Sequence, residues 1–224
     1  MGINLFFDNG SPDQWEEAHK LGIFEGITTN PSILKEANQS NELNNIKKLV
    51  KAAEAIGFRE IHIQTWGDTL NELIDRGLKI GELSTSKIRV FIKIPITETG
   101  TMAGFEIIKR GFPITFTACY ETSQVIIASA IGASYIAPYL GRINDKDNSG
   151  MSKIIEMKKI LEATNSTCKL LVASIRECSQ IEQLAAKGID TFTINKITMK
   201  DIFKSKSTDD AFLNFNKAAF ESIN

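Results

Sequence analysis

Short apolar runs rich in Ile, Val and Phe alternate along the chain with longer stretches of helical period. The runs are INLFFD (3–8), FEGITT (24–29), EIHIQT (60–65), RVFIKIP (89–95), PITFTA (113–118), SYIAPY (134–139), KLLVAS (169–174) and DTFTIN (190–195). Between them lie amphipathic stretches such as NELNNIKKLVKAAEAIG and SKIIEMKKILEAT, each long enough for three or more helical turns. Strand-sized runs separated by helical ones predict a parallel sheet of β/α units. The long interval between the second and third runs predicts two helices. Eight units in 224 residues fit a closed (β/α)8 TIM barrel, which needs about 200 to 250 residues, better than an open doubly wound sheet. No GxGxxG loop, and no GxxxxGK followed by Ser or Thr, comes after any run, so a nucleotide-binding Rossmann fold has little support. The expected organisation is one barrel domain over residues 1–224. TDDAFLNFNKAAFESIN is read as an additional C-terminal helix over 208–222; Phe212, Phe215 and Phe220 fall near one face, expected to pack on the barrel or on a neighbouring subunit.

Charge and composition narrow the partners. Twenty-six basic and 27 acidic side chains leave a formal charge of −1, so no broad field of one sign invites nucleic acid or an anionic membrane. Any anion must be met locally. Cys119, Cys168 and Cys178 are odd in number and widely spaced, which argues against a disulfide framework or zinc site and for a reducing compartment. The two histidines, His19 on the first helix and His62 within an apolar strand, cannot build a multi-histidine metal site and are read as structural. The N-terminus lacks a secretory pattern, and no stretch reaches the roughly 18 apolar residues of a membrane span. The expectation is a soluble, cytoplasmic protein using neither metal nor organic cofactor.

Barrel chemistry sits at the C-terminal ends of the strands, so polar groups closing apolar runs become candidates. Asp8 closes the first run, Thr28, Thr29 and Asn30 the second, Gln64 the third, Lys93 the fourth, Thr117 the fifth, Tyr139 and Arg142 the sixth, and Ser174 with Arg176 the seventh. Lys93 is the most informative. FIKIP places an amine between Ile92 and Ile94, where a charged ammonium is costly, and a desolvated neutral amine is what attack on a carbonyl requires. The plainer alternative is a lysine paired with a carboxylate such as Asp8. Asp8 itself reads either as a general acid/base or as the N-cap of the next helix. Arg142 and Arg176 with the Ser174 hydroxyl would make a bidentate phosphate site where the loops after strands 6 and 7 meet, against the alternative of surface ion pairs.

GITTNPSI (26–33), FIKIPIT (91–97), APYLGR (137–142) and ASIR (173–176) resemble the signature segments of the transaldolase family, in particular its short members and the related fructose-6-phosphate aldolases. The resemblance runs almost end to end. It implies that Lys93 is the Schiff-base lysine and Asp8 the acid/base group, that Thr28 and Asn30 hold substrate hydroxyls, and that Arg142, Ser174 and Arg176 grip the phosphate. By the same resemblance Gln64, Thr117 and Tyr139 position the water used for proton transfer. It further implies sugar-phosphate substrates, a place in the pentose phosphate pathway, and a homo-oligomer such as a pentamer or decamer. Many transaldolases carry glutamate, asparagine and phenylalanine where this chain has Gln64, Thr115 and Tyr139; these three positions lean toward the aldolase subgroup. Transfer of a dihydroxyacetone unit ranks first, aldolase cleavage second, and a non-catalytic sugar-phosphate-binding barrel is the reading from another class. A different lysine aldolase acting on a deoxysugar phosphate gains nothing from GITTNPS.

Overall fold

In the computed structural model, which describes residues 2–221, eight strands are connected by helices in the expected alternation. The first half runs β1 (Asn4–Asp8), α1 (Pro12–His19), β2 (Phe24–Thr28), α2 (Pro31–Glu36), α3 (Leu43–Ile56), β3 (Glu60–Gln64), α4 (Leu70–Gly81), β4 (Arg89–Pro95) and α5 (Glu98–Lys109). The second runs β5 (Ile114–Cys119), α6 (Gln124–Ala130), β6 (Tyr135–Pro138), α7 (Leu140–Asp147), α8 (Gly150–Ala163), β7 (Lys169–Leu170), α9 (Cys178–Ala185), β8 (Thr191–Ile194), α10 (Lys196–Asp201) and α11 (Lys206–Glu221). The predicted pair of helices between the second and third strands is α2 and α3. A second pair, α7 and α8, fills the β6–β7 interval.

All neighbouring strands are parallel, in the order β7-β6-β5-β4-β3-β2-β1-β8. The ring is completed by Val172, whose N–H donates to the Thr191 carbonyl at 3.0 Å and whose carbonyl accepts from the Thr193 N–H at 2.9 Å. The seventh run, expected as a strand over 169–174, is a regular ladder only at Lys169–Leu170. Beyond it, alternate residues bond to alternate sides: the N–H groups of Leu171 and Ala173 donate to Ile136 and Pro138 of β6 while Val172 serves β8. The run ends at Ser174, whose φ of 59° leaves the extended region.

Period-two alternation divides the side chains into two cores. Outward residues such as Phe7, Ile27, Ile61, Ile92, Ile94 and Phe116 are buried beneath the helices, while Phe6, Phe91, Tyr135, Ala137, Leu171 and Ala173 fill the cylinder. Gly26 is required by the close approach of β2 and β3, since a Cβ there would lie 2.2 Å from the Glu60 carbonyl oxygen. His62 belongs to the inner plug. It stacks on Phe91 at 4.7 Å, meets Phe6 edge-on at 5.0 Å, and shares a 2.8 Å hydrogen bond from Nδ1 to the Thr115 hydroxyl. His19 packs edge-on against Phe58 at 5.0 Å. Both histidines are packed against rings.

Burial pushes the His62 imidazole below its ordinary 6.5, partly opposed by Glu60. The unfolded chain therefore binds a proton that the folded chain excludes, and folding stability falls as pH drops below 6.5 toward the folded pKa. His62→Gln keeps a partner for Thr115 and removes this proton. Its unfolding free energy, measured by urea titration between pH 7 and 5, is expected to decline less steeply than that of wild type, by up to about 1.4 kcal/mol per pH unit. Parallel pH dependences in the two proteins would show that His62 is protonated equally in both states.

The C-terminal helix begins two residues before its expected start because Ser205 caps it: the Thr208 N–H donates to the Ser205 hydroxyl at 3.2 Å. Residue 222 of the expected span lies outside the described residues. None of the described residues of α11 is buried, and Phe212, Leu213, Phe215 and Phe220 are between 62% and 73% exposed. In the single chain the barrel leaves this apolar face exposed. Among the described residues no helix is long and apolar enough to cross a membrane.

Candidate active site

A cavity of about 670 Å³ opens at the C-terminal end of the cylinder. Its wall is contributed by Asp8 from β1, Thr28 and Asn30 from the end of β2, Lys93 from β4, Tyr139 and Arg142 after β6, and Ser174 after β7. Seven of the ten residues to which the resemblance gives roles thus face one space. Gln64, Thr117 and Arg176 are not part of the cavity wall.

Lys93 is 5% exposed, and its Nζ donates to the Thr29 carbonyl at 2.7 Å. The neighbours Ile92 and Ile94 point outward into the helix layer, so alternation alone turns Lys93 into the cylinder. Burial pushes its amine below the ordinary 10.5, and the Asp8 carboxylate pulls the other way. Asp8 is pushed up by burial and held back by Lys93, by its hydrogen bond from Thr28 and by Arg142; Glu36 on the cavity wall adds a smaller upward push. Each partner loses hydration and regains only part of it through the other, so burial brings the proton affinities of the amine and the carboxyl toward one another while their mutual attraction opposes that shift.

The Asp8 carboxylate accepts from the Thr28 hydroxyl at 2.6 Å, and Thr28 lies 2.6 Å from the Thr193 hydroxyl. Thr28 has a single hydroxyl proton, which goes to Asp8, so Thr193 donates to Thr28. This chain fixes the carboxylate, and Asp8 does not cap the next helix. That position is taken by Ser11, whose side chain makes no capping bond. Asn30 caps α2 by accepting from the Ile33 N–H at 3.0 Å, leaving its amide N–H groups for the cavity.

Thr117 stands behind the cavity wall, its hydroxyl 2.5 Å from the Tyr139 phenol. The Tyr139 ring carries the Arg142 guanidinium 4.9 Å above its face and meets Tyr120 edge-on at 5.7 Å. Burial pushes the phenol up, so it keeps its proton at neutral pH. Gln64 sits level with Lys93 on the adjoining strand. Thr115, on the other side of Lys93, turns its hydroxyl to His62 within the plug.

After β7 the chain turns sharply at Ser174, whose carbonyl accepts from the Gly141 N–H at 2.9 Å. A Cβ on Gly141 would lie 2.5 Å from that carbonyl oxygen and 2.9 Å from Arg176 Nε, so only glycine lets the two loops meet. Arg176 is turned outward. Its Nη1 and Nη2 donate to both carboxylate oxygens of Asp145, at 2.6 Å and 2.5 Å. The phosphate site drawn from the sequence is therefore assembled only in part, with Arg142 and Ser174 in the wall and Arg176 engaged with a carboxylate beside it. Thr193, Asn195 and Lys196, which are not among the strand-end candidates, bring the eighth strand into the wall. The polar ending of DTFTIN was the available signal.

A closed parallel barrel with a desolvated lysine and carboxyl at the C-terminal mouth of its strands has the layout of a (β/α)8-barrel enzyme. The chain belongs to the transaldolase/fructose-6-phosphate aldolase family, whose family model matches residues 5–224. Curated relatives named "Probable transaldolase" include those of Leptospira biflexa, 26% identical over 213 residues (95% of this chain, 96% of the relative), and Thermodesulfovibrio yellowstonii, 29% identical over 208 residues (92% and 93%). Among solved structures the chain is similar to dihydrodipicolinate synthase from Rhodopseudomonas palustris, with a TM-score of 0.58 at 11% identity over 86% of this chain and 69% of that one. A mutant flavocytochrome b2 gives a TM-score of 0.58 at 14% identity over 87% and 56%. These two likenesses concern the barrel fold alone.

Proposed function

We propose that the protein is a transaldolase, moving a dihydroxyacetone unit from a ketose phosphate such as fructose 6-phosphate or sedoheptulose 7-phosphate to an aldose phosphate through a Schiff base on Lys93, as in the pentose phosphate pathway. The observation that carries this reading is the buried Lys93 amine facing the half-buried Asp8 carboxyl in the cavity at the mouth of a barrel of this family. The neutral amine adds to the C2 carbonyl, and loss of water leaves an iminium. Asp8, acting through an ordered water, takes the C4 hydroxyl proton; the C3–C4 bond breaks, its electron pair flows into the iminium, and the aldose phosphate leaves. The resulting enamine adds through C3 to the aldehyde of the acceptor, and hydrolysis frees Lys93.

A second reading is favoured by the 2.5 Å contact between Thr117 and Tyr139. With Gln64 nearby, a protonated phenol can deliver a proton through water to C3 of the enamine, and hydrolysis then releases free dihydroxyacetone, which is fructose-6-phosphate aldolase activity. Borohydride trapping with fructose 6-phosphate, read by intact mass, tests the Schiff base. Ligand-dependent stabilisation without an adduct would favour a non-catalytic sugar-phosphate-binding barrel instead. Assay with and without erythrose 4-phosphate separates transfer from cleavage.

In this reading Arg142 and Ser174 hold the phosphate, and Arg176 joins them by leaving Asp145. Both side chains of that ion pair are more than half exposed, and such pairs contribute only about 0–1 kcal/mol. Arg176→Ala is expected to raise KM for fructose 6-phosphate by about tenfold while leaving that for unphosphorylated fructose within about twofold. Equal effects on both sugars would remove Arg176 from the phosphate site. The exposed row of Phe212, Phe215 and Phe220 on α11 supports assembly into a homo-oligomer through this helix.

A further inference from the structure

The cavity wall carries a cation to which the reading above gives no role. Lys196 opens α10, where Asn195 caps the helix by accepting from the Thr198 N–H at 3.0 Å, and it lines the cavity. Its ammonium lies 3.2 Å from a carboxylate oxygen of Glu17 on α1, with the two side chains 35% and 53% exposed. An ion pair so open to water is weak and readily exchanged.

Position on the barrel gives this lysine its meaning. β6 and β7 are neighbours, and Val172 joins β7 to β8, so the loops carrying Arg142, Ser174 and Lys196 follow three consecutive strands. Those side chains share one continuous arc of the cavity wall. Arg176, two residues past Ser174, is absent from that wall because both of its terminal nitrogens are engaged by Asp145. A phosphate monoester carries nearly two negative charges at neutral pH, and barrels commonly receive phosphate at the loops after strands 7 and 8. Arg142 and Lys196 both line this arc, and exchange of the Lys196 ammonium from Glu17 to the anion would bring one charge for each of the phosphate's two.

The geometry points to Lys196 as a specificity-determining residue that binds the phosphate of the substrate opposite Arg142, with Glu17 holding its ammonium in place until the anion arrives. This rests on the cavity being a sugar-phosphate site. The same arrangement makes Glu17 a competitor for the ammonium, so the two partners of one ion pair should act in opposite directions. A purely structural pair would make them act alike.

The test uses the full chain as wild type, Lys196→Met and Glu17→Gln. Calorimetry with inorganic phosphate reads binding, and kinetics compare fructose 6-phosphate with unphosphorylated fructose. Lys196→Met is expected to weaken phosphate binding about tenfold and to raise KM for fructose 6-phosphate by a similar factor, with kcat and the kinetics of free fructose within about twofold. Glu17→Gln should bind phosphate as tightly as wild type or more tightly. Unchanged phosphate affinity in Lys196→Met, equal weakening in both variants, or no phosphate binding by wild type would overturn the proposal. The phosphate affinities decide the role of Lys196 even if no ketose turns over, whereas the borohydride adduct on Lys93 decides the parent reading.

Discussion

Lys93→Met is expected to lower turnover of fructose 6-phosphate by on the order of 10⁴-fold or more while leaving the barrel folded. Methionine fills a similar volume without the amine, so the stem still packs inside the cylinder and only the Nζ bond to the Thr29 carbonyl is lost. The abandoned Asp8 carboxyl, already pushed up by burial, loses the lysine that opposes the push and answers by taking up a proton rather than standing as a buried charge. Far-UV circular dichroism should match wild type, and Tm should lie within about 5 °C of it. No borohydride adduct should form. Turnover at the wild-type level in a folded Lys93→Met protein would remove this lysine from the chemistry altogether.

Eight strands could be read from the sequence because each buries a run of branched and aromatic residues that no amphipathic helix would carry. Lys93 was legible for the same reason: a long cation between two isoleucines conflicts with its surroundings, and period two sends it inward while Ile92 and Ile94 go outward. Asp8 was ambiguous, because capping and catalysis ask for the same residue ahead of a helix. The hydroxyls of Thr28 and Thr193 resolve it, and their reach depends on β1 lying between β2 and β8, which no local window reveals. Arg176 had a similar difficulty. Its partner Asp145 belongs to α7, after a different strand, so the carboxylate that turns it outward has no signature near ASIR. Thr193, Asn195 and Lys196 were within reach of the strand-end rule, but the ending TIN reads equally well as strand continuing into a helix cap, which Asn195 also is. For α11 the apolar stripe predicts a packed face, yet in the single chain that face is exposed, because a stripe specifies a helix and its apolar side but not a surface to cover it.

Asp8→Asn is expected to separate formation of the Schiff base from bond cleavage. The asparagine amide can still receive the Thr28 hydroxyl bond that holds the carboxylate now, so the wall keeps its shape, but it cannot take the C4 hydroxyl proton. Loss of a positioned general base typically costs about 10² to 10⁴ in rate, and kcat should fall within that range. The amine is affected in the opposite sense. The Asp8 carboxylate favours the protonated form of Lys93 against the burial that disfavours it; removing that charge lets the neutral amine persist to lower pH. The acidic limb of adduct formation, which rises with pH as Lys93 loses its proton, should therefore move to lower pH in the variant. Intact mass after borohydride reduction distinguishes the two effects: wild type should trap chiefly the three-carbon dihydroxyacetone adduct, while Asp8→Asn should accumulate the adduct of the whole ketose phosphate. A variant that cleaves as fast as wild type and traps only the three-carbon unit would assign proton removal to another group on the wall.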